Sequence, residues 1–264
     1  MIKLIVTDVD DTIIEESHTD LNPEYFDVIR EFRKKGVIFV VASGRQKPSV
    51  KKTFIPVNDE IMYLADNGTD IETPDFISSI PFADGDYEKL AKDLKKLGNG
   101  YEIMACKPNI SYIEESAEEY YNRMTQNYGY SAQKVSDIIN LDGICKVSLY
   151  NKNGIDSEVE RSMHELWDDR MDVCIAGLWY LDFMGKGCNK GKGLSVIQDH
   201  YGIKPEETVA FGNADNDIPM LLQAKYSYAV ENASDNLKKV ASEVIGPMKE
   251  DAVLKKMKEI LRQL

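Results

Sequence analysis

The stretch LIVTDVDDT, residues 4–12, decides the fold. The run Ile2–Val6 that leads into it is compact, apolar and rich in β-branched residues, so it reads as a buried strand. Asp8 and Asp10 follow at its end, spaced so that both side chains can face one crevice. A lone Asp-x-Asp is usually a solvated acidic turn. Behind a buried strand and ahead of Thr12, it reads instead as a pair of carboxylates with separate tasks. One would be ionised to attack phosphorus and the other protonated for a leaving alkoxide, and proximity with a bound metal can separate their pKa values.

Outward from this strand the pattern alternates. A helix is predicted over Pro23–Lys35, with Asn22 as cap, Pro23 at its first position, Leu21 and Phe26 as a hydrophobic staple, and Gly36 as terminator. Val37–Val41 is a second buried strand and Met62–Leu64 a third, followed by a hairpin at Asn67-Gly68. Strands alternating with helices imply a parallel sheet with right-handed crossovers. Between residues 82 and 182 the pattern changes. Helices over Tyr87–Leu97, Glu118–Asn127 and Ile155–Trp167 separate the runs Tyr101–Ala105, Lys146–Tyr150 and Val173–Phe183. After Lys190 the alternation resumes, with a helix over 190–201, a strand at Thr208–Phe211, a helix over 217–223 and a strand at Tyr226–Val230. The expected fold is α/β. A doubly wound, Rossmann-like parallel-sheet core (1–81 and 183–264) is interrupted by an α+β insertion (82–182).

Composition narrows the function classes. A net charge of −13 argues against a nucleic-acid binder, which would carry a basic footprint. Cys106, Cys145, Cys174 and Cys188 form no Cys-x-x-Cys pair and read as reduced thiols in a cytoplasmic protein. The amino terminus reads as a strand leading to a site, not a signal peptide, and no apolar run, Val37–Ala42 included, is long enough to span a membrane.

Three further stretches carry chemistry. In VIFVVASGR, Ser43 and the amides around Gly44 can hold phosphoryl oxygens, and Arg45 can pair with phosphate or substrate. GKGCNKGKG, from Gly185, fails the Walker A spacing and has Gly193 where Ser or Thr is needed. Its Lys190, at a helix start, remains a good phosphate-binding charge, whereas Lys186 and Lys192 read as solvated. In VAFGNADNDIPM, Asn213, Asn216 and Asp217 gather oxygen ligands of the kind Mg²⁺ prefers at a strand end. In open α/β sheets ligands bind at the carboxyl ends of strands, where three of these stretches fall.

Together the motifs resemble those of the haloacid dehalogenase-like phosphatases, specifically the Cof-type group with a class IIB cap. DVDDT at 8–12, Ser43-Gly44-Arg45, Lys190-Gly191 and GNADNDIPM at 212–220 match the family's four motifs, and Asn67-Gly68 resembles its turn before the cap. The resemblance spans the chain and implies a Mg²⁺-dependent phosphatase of small phosphoesters, such as sugar phosphates. By it, Asp8 forms an aspartyl-phosphate and Asp10 acts as acid and then base. Ser43, Gly44, Arg45, Lys190 and Asn216 serve the phosphate or substrate, and Asp8, Asp10, Asn213 and Asp217 the metal. The implied partner is a small phosphorylated metabolite, without nucleic acid or membrane, and both monomer and homodimer stay open. Tyr112, Trp179 and Arg123 are expected in core or surface roles. Two positions depart from the family pattern. Asp11 stands where glycine is usual and is assigned no catalytic role. Asn213 stands where a metal-binding Asp is usual, so weaker Mg²⁺ binding is expected. The alternatives are a bisphosphate-dependent phosphomutase and a weakly active ligand sensor.

Overall fold

The computed structural model describes residues 1–16, 18, 20–98 and 100–264. Strands β1 (Leu4–Thr7), β2 (Ile38–Ala42), β3 (Met62–Ala65), β4 (Asp70–Glu72) and β5 (Ile77–Ser79) belong to one sheet. A second sheet is built from β6 (Tyr101–Lys107), β7 (Ile110–Glu114), β8 (Ala132–Val135), β9 (Lys146–Asn151), β10 (Met171–Ala176) and β11 (Tyr180–Gly185). Strands β12 (Thr208–Gly212), β13 (Tyr226–Ala229) and β14 (Glu243–Val244) return to the first.

The first sheet has the order β14-β13-β12-β1-β2-β3-β4-β5. It is parallel from β14 to β3 and antiparallel at β4 and β5. Strand β1 lies centrally, paired with β2 on one side and β12 on the other, so a crevice opens where the winding reverses direction. Every residue of β1 and β12 is buried, as the continuous apolar runs require. The Glu24–Lys34 and Ala252–Gln263 helices pack side by side on the core, joined where the Leu254 amide donates to Tyr25 Oη at 3.2 Å. The Glu24–Lys34 helix buries Tyr25, Val28, Ile29 and Phe32, the spacing of one helical stripe, and the Ala252–Gln263 helix buries Val253, Leu254, Met257 and Ile260. Each fully buried side chain of this size contributes about 1.5–3 kcal/mol. The Glu24–Lys34 helix ends as expected at Gly36, with φ +79°, and the Asn22 side chain accepts from the Glu24 amide at 3.1 Å.

The second sheet has the order β10-β11-β9-β6-β7-β8, antiparallel except between β7 and β8. It forms the cap over the Rossmann-like core. Strand alternation gives it two different faces. Val147, Leu149, Leu181 and Phe183 pack under the Asp86–Lys95 and Ser157–Trp167 helices. Lys146, Ser148, Tyr180 and Asp182 point the other way, into a cavity shared with the core.

Several elements differ from the expected pattern. The run Val173–Phe183 is a hairpin of β10 and β11, turning at Gly177 with φ +68°. The expected helix over Glu118–Asn127 is α-helical only to Asn122 and then widens to a π turn over Arg123–Asn127. There the Thr125 hydroxyl donates to the Tyr121 carbonyl at 2.9 Å, a local bond that competes with the helical ladder. The expected helix over 217–223 is α-helical only at Ile218–Leu221. Strands β5, β7, β8 and β14 were not foreseen, because none of them is a continuous buried apolar run.

Candidate active site

Asp8 follows β1 directly, and its amide donates to the Phe211 carbonyl of β12, fixing it where the sheet's winding reverses. The carboxylate is 4% exposed and both oxygens are engaged. Lys190 Nζ donates to Oδ1 at 2.6 Å and Thr12 Oγ to Oδ2 at 2.8 Å. Lys190 also donates to Asp217 Oδ1 at 2.6 Å. One buried ammonium thus serves two carboxylates, and the negative balance falls on Asp8. Burial, then the charges of Asp217 and Asp10, outweigh Lys190 and push the Asp8 carboxyl up to about 7. Burial opposes the Lys190 charge, but Asp217 and Asp8 more than offset it and raise its pKa.

Lys190 begins the Lys190–Tyr201 helix, capped by Asn189, whose side chain accepts from the Lys192 amide at 3.0 Å. The glycines of this neighbourhood are steric requirements. A Cβ on Gly191 would lie 2.3 Å from the Pro219 carbonyl oxygen, and one on Gly68 would lie 2.6 Å from that of Asn189. The Asn67-Gly68 turn is therefore pressed against the start of the lysine-bearing helix. Asp217 holds the loop after β12 as well as Lys190. Its Oδ2 accepts from the Asn213 and Ala214 amides at 2.9 and 3.1 Å.

Asp10 lies on the same cavity, but its carboxylate meets Arg45. Arg45 Nε donates to Asp10 Oδ2 at 2.9 Å, a terminal nitrogen bonds Oδ1, and a second donates to the His18 carbonyl at 3.2 Å. The sequence offered Arg45 as a phosphate or substrate partner; here it is a bidentate clamp on Asp10, only 4% exposed. Ser43 Oγ accepts from the Arg45 amide at 3.0 Å, and Gly44 lines the cavity. Asn216 Nδ2 donates to Asn67 Oδ1 at 3.1 Å, while its own Oδ1 is buried without a partner among the described residues. Asp11 has φ +54°, a left-handed conformation that accounts for glycine being usual there and that Asp tolerates better than most residues.

Asn213 Oδ1 accepts from Thr12 Oγ at 3.1 Å, the same hydroxyl that reaches Asp8. A carboxylate oxygen and an amide oxygen therefore converge beside Asp10. Among the described residues no three His, Cys, Asp or Glu side chains cluster as a metal site. A hard cation here would therefore lean on the Asn213 amide and a backbone carbonyl as well as on Asp8, and such an all-oxygen set suits Mg²⁺.

The cap half of the cavity, about 150 Å³ in all, was missed in the sequence. Ser148 Oγ donates to Asp182 Oδ1 at 2.6 Å and Asn67 Nδ2 to Asp182 Oδ2 at 2.8 Å. Lys146, fully buried on β9, bonds the Gly44 carbonyl and lies 3.1 Å from Asp66 and 3.7 Å from Asp182. The signal was the alternation itself. Lys146 and Ser148 on β9, and Asp182 on β11, are polar positions between apolar ones in strands with both faces buried. Tyr128 crosses from the cap and donates to Glu16 Oε1 at 2.9 Å, with Arg45 beneath its ring. Trp179 and Arg123 pack on each other at 5.0 Å, outside the residues that line the cavity.

A family model for haloacid dehalogenase-like hydrolases matches residues 5–257. The chain belongs to the haloacid dehalogenase-like hydrolases. It is 28% identical to the 5-amino-6-(5-phospho-D-ribitylamino)uracil phosphatase YbjI of Escherichia coli, over 99% of this chain and 97% of the relative. It is 26% identical to a phosphoglycolate phosphatase of Methanopyrus kandleri, over 100% and 99%. The subclass IIB sugar phosphatase BT4131 shares the fold, with a TM-score of 0.84 over 98% of each chain at 21% identity. The protein is a phosphatase of this family, Cof-type, and no described helix is long and apolar enough to cross a membrane.

Proposed function

We propose that the protein hydrolyses phosphate monoesters of small metabolites, sugar phosphates or related compounds, through an aspartyl-phosphate on Asp8, in the cytoplasm and with Mg²⁺ as cofactor. The observation that carries this reading is the convergence on Asp8. A buried carboxylate at the carboxyl end of β1 meets Lys190 at 2.6 Å, and Asp10 lies on the same cavity.

An Asp8 oxygen attacks phosphorus while the bond to the leaving oxygen breaks, and Asp10 gives that oxygen a proton. Asp10 then takes a proton from water, whose oxygen attacks the same phosphorus and frees Asp8 and inorganic phosphate. Arg45 occupies both Asp10 oxygens, so each proton transfer requires one of those bonds to loosen. Lys190 and Ser43 are suited to hold phosphoryl oxygens, and Asn216, through an Oδ1 that has no partner among the described residues, to position a group beside them. Mg²⁺ would be held by the Asp8 carboxylate, the Asp10 carbonyl and Asn213, with Asp217 steadying the loop behind them, and would supply charge to the phosphoryl oxygens. The relatives differ in their named substrates, which leaves the leaving group open.

Acid-quenching the enzyme during turnover and mapping phosphorylated peptides tests the reading. A phosphoryl group is expected on the peptide containing Asp8, together with phosphate release that needs no sugar bisphosphate. Sustained release by Asp8→Asn, or strict dependence on a bisphosphate, would overturn it.

A further inference from the structure

Asn67 sits where the loop after β2, the loop after β12 and the cap strand β11 meet, yet it is not among the described residues that line the catalytic cavity. It is 1% exposed and has φ +58°, between Asp66 at +49° and Gly68 at +88°. Three consecutive residues with positive φ, two of them not glycine, persist only where the surroundings hold them. Here the surroundings are the site itself. The Asp66 and Asn67 amides donate to the Arg45 and Ser43 carbonyls, each at 3.0 Å. A Cβ on Gly44 would lie 3.1 Å from Asn67 Oδ1, so glycine there lets that oxygen come close to the loop that carries Ser43.

Both ends of the Asn67 side chain are used, and their order is set from the cap. Asp182 on β11 accepts from Ser148 Oγ at 2.6 Å and has Lys146 Nζ 3.7 Å away. A carboxylate beside an ammonium accepts and does not donate. Asn67 therefore turns Nδ2 to Asp182 Oδ2, at 2.8 Å. That leaves Oδ1 for Asn216, which answers with its Nδ2 at 3.1 Å. With that nitrogen pinned, the place of Asn216 Oδ1 and of the second Nδ2 hydrogen is fixed as well. Asp182 and Asn216 both line the catalytic cavity. The chain Asp182–Asn67–Asn216 thus runs from a strand inside the cap to the loop after β12, and a displaced β11 would free the Asn216 amide to rotate.

Building on the phosphatase reading, in which Asn216 serves the phosphate site, we infer that Asn67 is a positioning residue. It passes the seating of cap strand β11 to the Asn216 amide, so the grip on phosphate is complete only with the cap docked. Coupling of this kind is reciprocal, so bound phosphate also holds the cap.

The probe is inorganic phosphate with Mg²⁺ present. Its affinity is read by calorimetry and by competition against p-nitrophenyl phosphate, with urea titrations for stability. Asn67→Gly suits the left-handed backbone and deletes both side-chain bonds. It should weaken phosphate binding roughly three- to tenfold alone, and less than about twofold in an Asn216→Ala background. Asn67→Asp keeps an acceptor for Asn216 but sets a carboxylate against Asp182, and should weaken binding roughly tenfold. Asn67→Asp with Asp182→Asn reverses the bond at unchanged net charge, and should return to within about threefold of wild type. Lost stability with unmoved phosphate affinity in Asn67→Gly, an equal loss in the Asn216→Ala background, or a swapped pair no better than Asn67→Asp would overturn the inference. Failure of the wild-type protein to release phosphate from p-nitrophenyl phosphate would instead strike the phosphatase reading, and calorimetry would still decide the role of Asn67.

Discussion

The two halves of the cavity are built on opposite plans. On the core side, Asp8, Ser43 and the loop over 213–217 stand just after buried parallel strands, Lys190 opens the helix that follows the last cap strand, and their orientation comes from loops tied to neighbouring strands. Asp8 and Asp217 are held this way, through backbone bonds to Phe211, Asn213 and Ala214. On the cap side the polar groups lie within strands, every second residue, with apolar partners on the reverse face. A loop group can be exchanged without disturbing a core. A strand group such as Lys146 is part of the packing, so the cap's chemistry and its stability are the same residues.

That difference can be broken most sharply at Lys146. It is the buried cation between Asp66 and Asp182, and burial of Asp66 already raises that carboxyl's pKa despite the lysine. Lys146→Met should destabilise the fold by about 3–5 kcal/mol, because it strands buried carboxylates. Adding Asp182→Asn should restore part of the loss, as urea titrations would show. An unchanged midpoint in the single variant would mean that the cap face is as tolerant as the core loops.

Next in size is the clamp on Asp10. Arg45→Lys loses the bidentate geometry while keeping the charge. On an alkyl phosphate kcat should fall about 10- to 100-fold, since the leaving alkoxide needs a proton. On p-nitrophenyl phosphate, whose phenolate leaves unaided, the loss should be smaller. Equal losses on both substrates would assign Arg45 to phosphate binding, the role its sequence position first suggested.

The contrast also explains what could be read in the chain beforehand. Asp8 and Ser43 were legible because a strand-ending motif announces both its place in the sheet and its direction, and Lys190 because it opens a helix. The expected helix over 190–201 has those bounds, and the structure adds Asn189 and Gly202 as its caps. What Arg45 faces was not legible, because a guanidinium suits a phosphate and a carboxylate equally and only the fold brings Asp10 near. Lys146, Ser148 and Asp182 were hidden for a different reason. Alternation shows that a strand has two faces but not which one meets another domain, and the pairing of β9 with β11 joins residues far apart in sequence. The π turn at Arg123 left no mark in the helical periodicity.

The metal half-site gives the third prediction. Asn213→Asp adds an anionic ligand next to Asp8, and the Mg²⁺ concentration for half-maximal activity should fall roughly tenfold. The pH profile should respond with it. The attacking carboxylate must be ionised, and Asp8 in its metal-free surroundings is pushed up to about 7, so activity at limiting Mg²⁺ should rise with pH through that region. A bound cation favours the ionised form, so saturating Mg²⁺ should move this acid limb to lower pH. A limb that stays fixed as Mg²⁺ is varied would show that Asp8 does not set it, and an unaltered metal requirement in Asn213→Asp would remove residue 213 from the metal site.

The smallest effect sharpens the comparison where the halves touch. Tyr128 belongs to the cap, yet its hydroxyl reaches Glu16 in the loop after β1, and its ring covers the guanidinium that holds Asp10. Tyr128→Phe deletes the bond to Glu16 and the longer one accepted from Arg123 at 3.5 Å and keeps the ring, each bond being worth about 0.5–1.5 kcal/mol. If the bond to Glu16 forms only when the cap is down, kcat/KM should fall roughly two- to tenfold while the unfolding midpoint barely moves, because the strands that carry stability are untouched. A fall in stability without a fall in kcat/KM would make Tyr128 a packing residue of the cap. Loss of kcat/KM alone would make it the point at which cap position is felt by the core's acid–base group.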